Sequence, residues 1–276
     1  MTSEEHGMTR YLPHGTRLAS HAAIRVFCFP FAGGGASAYA RWSRRLGPGV
    51  AVLPVQLPGR EGRMAEPRFT DVDELINDLD DALDADLDHP HVFYGHSMGA
   101  LLAYALARRR AEQGKRLPQA LVLSAYRAPH LPAPYIANPD ASDAEIVTAL
   151  VGLGGIPQTL LDHPEWLSIL LPIVRDDLRM CSGHIRGPYR PLPVPVHTFA
   201  GDTDRLVTPA EVHAWRQHTS DTFHAQVVPG GHFFVRDHEE QFLRSVTAVL
   251  RQYVERPQPR AGHTAAPCPR ALYAAS

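Results

Sequence analysis

Residues 95 to 99 read Gly95-His96-Ser97-Met98-Gly99, between an apolar run ending at Tyr94 and a helix-like run from Ala100 to Arg110. A serine hydroxyl is a poor nucleophile at neutral pH, so one that does chemistry is lifted onto a strained strand-to-helix turn beside a base and main-chain donors. Gly95 and Gly99 meet a steric need, because a side chain at either would collide where strand and helix cross. This segment predicts a nucleophile elbow with Ser97 at its tip.

Such a serine needs a base, and the base an orienting carboxylate, which in the fold class with this strand-to-helix elbow follow in chain order Ser, Asp or Glu, His, each after a strand. Strand Pro195 to Ala200 runs into Gly201-Asp202-Thr203-Asp204, and strand His224 to Val228 into Pro229-Gly230-Gly231-His232. His232, one of sixteen histidines, is the expected base. Both Asp202 and Asp204 sit in the acid turn. Asp204 is chosen because Val207 and a helix start at Thr208-Pro209 follow it, leaving Asp202 as a turn-former. An oxyanion forming at the carbonyl needs two backbone N–H donors, expected from Met98 and from Ala32 in Phe29-Pro30-Phe31-Ala32-Gly33-Gly34-Gly35. That loop could instead cradle a nucleotide, but it lacks GxGxxG and no Lys-Ser or Lys-Thr pair follows. No HExxH or Cys/His ligand spacing occurs, so a metal site is not expected.

The elements that must position these groups alternate along the chain. Strands are predicted at Ile24 to Phe29, Val50 to Val55, His91 to Tyr94, Ala120 to Ala125, Pro195 to Ala200 and His224 to Val228. Helical spacing between them implies an α/β fold, a mostly parallel sheet flanked by helices. Thr70 to Asp88 is an amphipathic helix whose acidic face is read as solvated. The helix after Ser97 turns Leu101, Leu102, Ala105 and Leu106 inward, with Arg108 to Arg110 suiting its C-terminus. A last helix runs from Glu239 to Tyr253. From about Pro129 to Pro193 the alternation stops. Ser142 with Glu145 caps one helix there, and a second runs from Glu165 towards Cys181. The second is apolar on too many sides for a single core, so it is either sandwiched in the fold or a lid lining a cavity.

With 276 residues, 44% of them hydrophobic, one domain with a full core is expected over residues 21–255. Residues 1–20 and 256–276 read as disordered ends. A formal charge of −2 argues against nucleic acid or an anionic membrane as partner. No signal peptide or membrane span is evident, and Cys28, Cys181 and Cys268 have no CxxC spacing, which fits the cytoplasm.

With these residues placed, the chain resembles the type II thioesterases, free-standing editing hydrolases of polyketide and nonribosomal peptide synthases. The resemblance runs from about Val26 to Tyr253. It rests on FPFAGGGASAY (29–39), QLPGRE (56–61), YGHSMGALLAY (94–104), LGGIP (153–157) and PGGHFF (229–234). Family members often carry His where Phe31 stands, a change expected to alter packing or substrate contact rather than abolish turnover. The resemblance implies an α/β-hydrolase fold with the 129–193 insertion as a helical lid. It also implies an acyl or peptidyl carrier protein as partner, whose phosphopantetheine arm delivers the acyl group, and an enzyme without a cofactor of its own. A monomer is favoured. Arg41, Arg44, Arg45, Arg60 and Arg63 are candidates for a basic rim that receives the acidic carrier. The alternatives are a small-molecule esterase or acyltransferase on the same scaffold, and a non-catalytic binding module, against which the intact triad argues.

Overall fold

The computed structural model describes residues 9–13, 22–182 and 189–255. Strands β1 (Ile24–Phe29), β2 (Val50–Pro54), β3 (His91–His96), β4 (Leu121–Ser124), β5 (Val196–Gly201) and β6 (Phe223–Val228) form one sheet ordered β2-β1-β3-β4-β5-β6, and every pairing is parallel. Each strand lies where a β-branched or aromatic run predicts it, shifted only at its ends. The helices are α1 (Val72–Leu87), α2 (Met98–Glu112), α3 (Asp143–Gly152), α4 (Gln158–Leu161), α5 (Pro164–Ser182), α6 (Pro209–His213), α7 (Phe234–Asp237) and α8 (Glu239–Val254).

Side chains alternate across a strand, so β1 serves two cores. Phe27 and Phe29 pack on one face with Leu79 and Leu83 of α1 and Leu102 and Leu106 of α2. Ile24, Val26 and Cys28 face the other side with Val246, Val249 and Leu250 of α8. Fully burying one such aliphatic side chain contributes about 1.5–3 kcal/mol. α2 is buried well beyond Leu101, Leu102, Ala105 and Leu106, since Ala100, Ala103 and Ala107 are also inside. Its small side chains let it sit between the sheet and α1.

One reading of charge needs correction. The acidic face of α1 is not wholly solvated, because Asp80 is fully buried, accepting from Arg110 at 2.8 Å and Lys115 at 2.9 Å. Arg110 stands in the last turn of α2 as expected and is also an interior ion-pair partner. The facing sides of adjacent helices bring together charges that the period of either helix alone assigns to solvent. Asp71 caps α1 by accepting from the N–H groups of Asp73 and Glu74.

The expectation of a free end over 1–20 fails at residues 9–13. Tyr11 is fully buried, its carbonyl accepts from the Gln56 N–H at 2.8 Å, and its hydroxyl and Arg10 both meet Asp78. Residues 1–8, 14–21 and 256–276, with Cys268, lie outside the described residues. Cys28 and Cys181 are free and buried. Among the described residues no helix is long and apolar enough to cross a membrane.

Between β4 and β5 the chain forms the helical insertion. Ser142 and Glu145 make the predicted capping box at the start of α3. Ile146 and Leu150 of α3, Ile156, and Leu171, Val174 and Leu178 of α5 form a small core of their own. The opposite side of α5 leaves Trp166 and Ile169 about half exposed, which accounts for a helix that is apolar all round.

Candidate active site

The strand order determines where chemistry can gather. From β1 the chain goes to β2 on one side and then returns to β3 on the other, so the loops after β1 and β3 flank a crevice at the sheet's carboxyl edge. The loop after β1 is the glycine-rich segment 32–35, and the turn after β3 is Ser97. Ser97 has φ 53° and ψ −124°, a conformation costing about 1–3 kcal/mol for a non-glycine residue. A Cβ on Gly95 would stand 2.0 Å from the Gly99 carbonyl oxygen, and one on Gly99 2.1 Å from that of Phe29. The steric need at both glycines is thus met by backbone, which cannot give way.

The loops after β5 and β6 reach the same edge. His232 Nε2 lies 3.0 Å from Ser97 Oγ, and His232 Nδ1 lies 2.8 Å from Asp204 Oδ2. The other oxygen of Asp204 accepts from the N–H groups of Leu206 at 2.8 Å and Val207 at 3.2 Å, which holds the carboxylate still. Asp202 accepts from the Gly230 N–H at 2.8 Å and so pins the histidine loop, a turn role. Of the two acid-turn carboxylates, Asp204 is the one beside His232. Ser97, Asp204 and His232 are all buried.

His96 packs against His232 with ring centroids 5.5 Å apart, and its Nδ1 lies 3.0 Å from Ser124 Oγ. Burial first, and the charge His232 can carry second, hold the His96 pKa well below the ordinary histidine range. A neutral His96 leaves His232 free to become an imidazolium without a like charge beside it. Phe31 stands edge-on to His96 and to Phe233, with centroids 6.2 and 5.3 Å away. The residue that departs from the family pattern therefore packs against the site.

The loop after β1 does not present its amides to a phosphate. Gly33 N–H donates to Asp177 Oδ2 at 2.7 Å, Ala36 N–H to Gln56 Oε1 at 3.3 Å, and Ser37 N–H to Glu61. Side-chain acceptors, two of them carboxylates, occupy the positions a phosphate would need, which removes the nucleotide reading. Among the described residues the N–H groups of Ala32 and Met98 make no hydrogen bond. Met98 also opens α2, whose N-terminal dipole favours negative charge.

Three groupings were not legible beforehand. Arg60, expected on a basic rim, is buried and meets Asp177 of α5 through two hydrogen bonds of 2.8 Å. Arg63 is tied to Glu66 and lies over the Tyr11 ring at 4.5 Å. Both leave the rim, while Arg41, Arg44 and Arg45 stay exposed. The QLPGRE segment is instead the brace of the glycine loop, through Gln56, Arg60 and Glu61. The LGGIP segment touches the histidine loop, with Arg236 donating to the Gly154 carbonyl at 2.6 Å and the Phe233 ring 3.1 Å from where a Gly155 Cβ would stand. The signal for both was their specificity as motifs without an assigned task.

The parallel sheet, the elbow and the order of the three loops define an α/β-hydrolase. The thioesterase-domain family model matches residues 24–250. Linear gramicidin dehydrogenase LgrE of Brevibacillus parabrevis is 36% identical over 86% of this chain and 92% of its own length. Thioesterase PikA5 of Streptomyces venezuelae is 34% identical over 84% of this chain and 83% of its own length. The structure of BorB, the type II thioesterase from the borrelidin biosynthetic cluster, is similar with a TM-score of 0.79 and 35% identity over 89% of this chain and 98% of that one. The chain belongs to the thioesterase family and is a thioester hydrolase of the type II kind.

Proposed function

We propose that this protein hydrolyses short or aberrant acyl groups from the phosphopantetheine thioester of an acyl or peptidyl carrier protein, as an editing enzyme of polyketide or nonribosomal peptide assembly. The observation that carries the reading is the unbroken relay from Ser97 through His232 to Asp204, at 3.0 and 2.8 Å, flanked by loops that the helical insertion touches. Relatives named for gramicidin and borrelidin support the setting.

His232 takes the Ser97 proton as the hydroxyl attacks the thioester carbonyl, and Asp204 steadies the imidazolium. The developing oxyanion is received by the N–H groups of Ala32 and Met98. Collapse breaks the C–S bond, His232 passes its proton to the departing thiolate, and the acyl group remains on Ser97. Water, deprotonated by His232, then attacks the ester and regenerates Ser97 with release of the acid. The protein itself supplies no cofactor, because the phosphopantetheine arrives with the substrate. A reducing compartment such as the cytoplasm is supported by the free thiols of Cys28 and Cys181.

Incubation with acetyl- or propionyl-loaded carrier protein should release the free acid, and Ser97→Ala should lower the rate by about a thousandfold or more. A fluorophosphonate probe should label Ser97, since labelling requires an activated hydroxyl. Labelling with no acid release from any carrier, or faster turnover of soluble esters than of carrier thioesters, would replace this reading with that of an esterase.

A further inference from the structure

We propose that Asp177 and Arg60 are positioning residues of the reaction: together they hold the glycine loop so that the Ala32 N–H meets the oxyanion, and they tie that donor to α5 of the insertion. The proposal rests on the reading of Ala32 as an oxyanion donor.

The loop's own turn bond, from the Gly34 N–H to the Phe31 carbonyl at 2.8 Å, leaves much of it free. Gly33, Gly34 and Gly35 follow Ala32 directly, Gly33 has φ +75°, and chains of glycine have the widest backbone freedom. Besides the Gln56 and Glu61 bonds at its far end, two bonds from outside restrict it next to Ala32. Asp177 Oδ2 accepts from the Gly33 N–H at 2.7 Å, which orients the peptide plane between Ala32 and Gly33, and Arg60 Nη1 donates to the Gly34 carbonyl at 3.0 Å, which holds the plane between Gly34 and Gly35. The same Nη1 and its neighbour Nη2 grip the two Asp177 oxygens at 2.8 Å each. Val174, one turn earlier on α5, stands 2.8 Å from where a Gly33 Cβ would be, so the helix rests on the loop.

Charge gives the pairing a second consequence. A lone carboxylate bonded one residue past the donor would oppose the negative charge growing on the substrate oxygen. The bidentate guanidinium cancels it. Buried ion pairs can commonly be exchanged for apolar side chains without loss of stability, so holding the fold together does not by itself call for this one. An oxyanion donor, in contrast, works only within a few tenths of an ångström of its place.

The test uses Arg60→Met with Asp177→Leu in one protein, which removes both charges and keeps most of the volume. The turnover parameters are read with acyl-loaded carrier and with a p-nitrophenyl ester. Affinity is read for a trifluoromethyl ketone analogue of the acyl thioester, whose adduct with Ser97 puts an oxyanion in the hole. We expect kcat to fall by about thirtyfold or more on both substrates, KM to change less than about threefold, and analogue affinity to fall in step with kcat, while the thermal midpoint is kept. A folded double variant with kcat and analogue affinity within about twofold of wild type overturns the proposal.

Should the double variant fail to fold, Asp177→Asn, which retains one acceptor, is expected to lower kcat and analogue affinity together by about tenfold. Unchanged values there overturn it equally. Arg110→Met with Asp80→Leu is the control and should leave kcat at the wild-type value. An equal fall in the control assigns the effect to the loss of any buried pair and removes the proposal. If wild type fails on carrier thioesters the proposed function falls, whereas the ester and analogue arms still decide the role of Asp177 and Arg60.

Discussion

Two buried ion pairs in this molecule are near twins in chemistry. Arg60 with Asp177 and Arg110 with Asp80 each meet at 2.8 Å, with side chains no more than 5% exposed. Their surroundings separate them. Arg110 lies thirteen residues down α2 from Ser97, about 20 Å at the helical rise, and holds α2 to α1 together with the Arg116 carbonyl. It also has reserve partners, since Asp84 accepts from it at 2.9 Å and Lys115 reaches Asp80. Arg60 has no second carboxylate among the described residues, and the groups it shares with Asp177 are the main chain of the glycine loop. The worth of a buried ion pair is set by the backbone it immobilises and by how many substitutes stand nearby.

Cutting one partner of each pair should separate them most. Asp177→Ala leaves Arg60 alone in the interior and is expected to cost about 3–5 kcal/mol of unfolding free energy, with kcat of the folded fraction lowered as well. Asp80→Ala should cost less, about 1–3 kcal/mol, because Asp84 remains, and should not touch kcat. Urea unfolding beside initial rates reads both, and a larger loss for Asp80→Ala would break the comparison.

Acid should weaken the fold along the interior histidines. Burial pushes His91, at the start of β3, down to about 3, and His218, bonded to Tyr104 of α2 and to His130, down to about 4. His96 is also lowered by burial. The unfolded chain binds a proton on each below about pH 6.5 while the native protein does not, so stability is full above that pH and falls as pH drops towards 4. At pH 5 His91 and His218 each contribute a loss on the order of 2 kcal/mol. Unfolding at pH 7.5 and 5 should show it, and His91→Gln should flatten the slope by one share.

Smaller still is the contribution of the exposed rim. Raising salt from 50 to 300 mM should raise KM for an acidic carrier a few-fold, and neutralising Arg41, Arg44 and Arg45 together should remove that dependence. On the outer face of α5, Arg179 bridges Asp140 at 2.7 Å and Asp176 at 2.8 Å while remaining 41% exposed. Arg179→Ala should change stability by under about 1 kcal/mol in thermal or urea unfolding. A loss matching that of Asp177→Ala would mean that α5 is held from outside, not through the loop.

What could be read beforehand was whatever is local. The six strands, the elbow around Ser97, the caps at Ser142 and Thr208, and the loops bearing Asp204 and His232 each rest on contiguous residues, and the sheet order does the rest. Arg60 was misread because its partner is 117 positions away on a helix whose own pattern gave no reason to bury a carboxylate. Asp80 was assigned to water for the same cause. Tyr11 was lost in a polar stretch, since a single buried aromatic makes no period.

The free cysteines have a meaning for repeated turnover. A thioester hydrolase liberates a thiol in every cycle, directly beside its own interior. Cys28 and Cys181 lie buried, and burial raises their pKa so that neither is a ready thiolate. Acyl transfer to a cysteine needs that anion within reach of the thioester, which would pass its acyl group to the new sulfur and release the old thiol. Neither Cys28 nor Cys181 therefore competes with Ser97 for the acyl group.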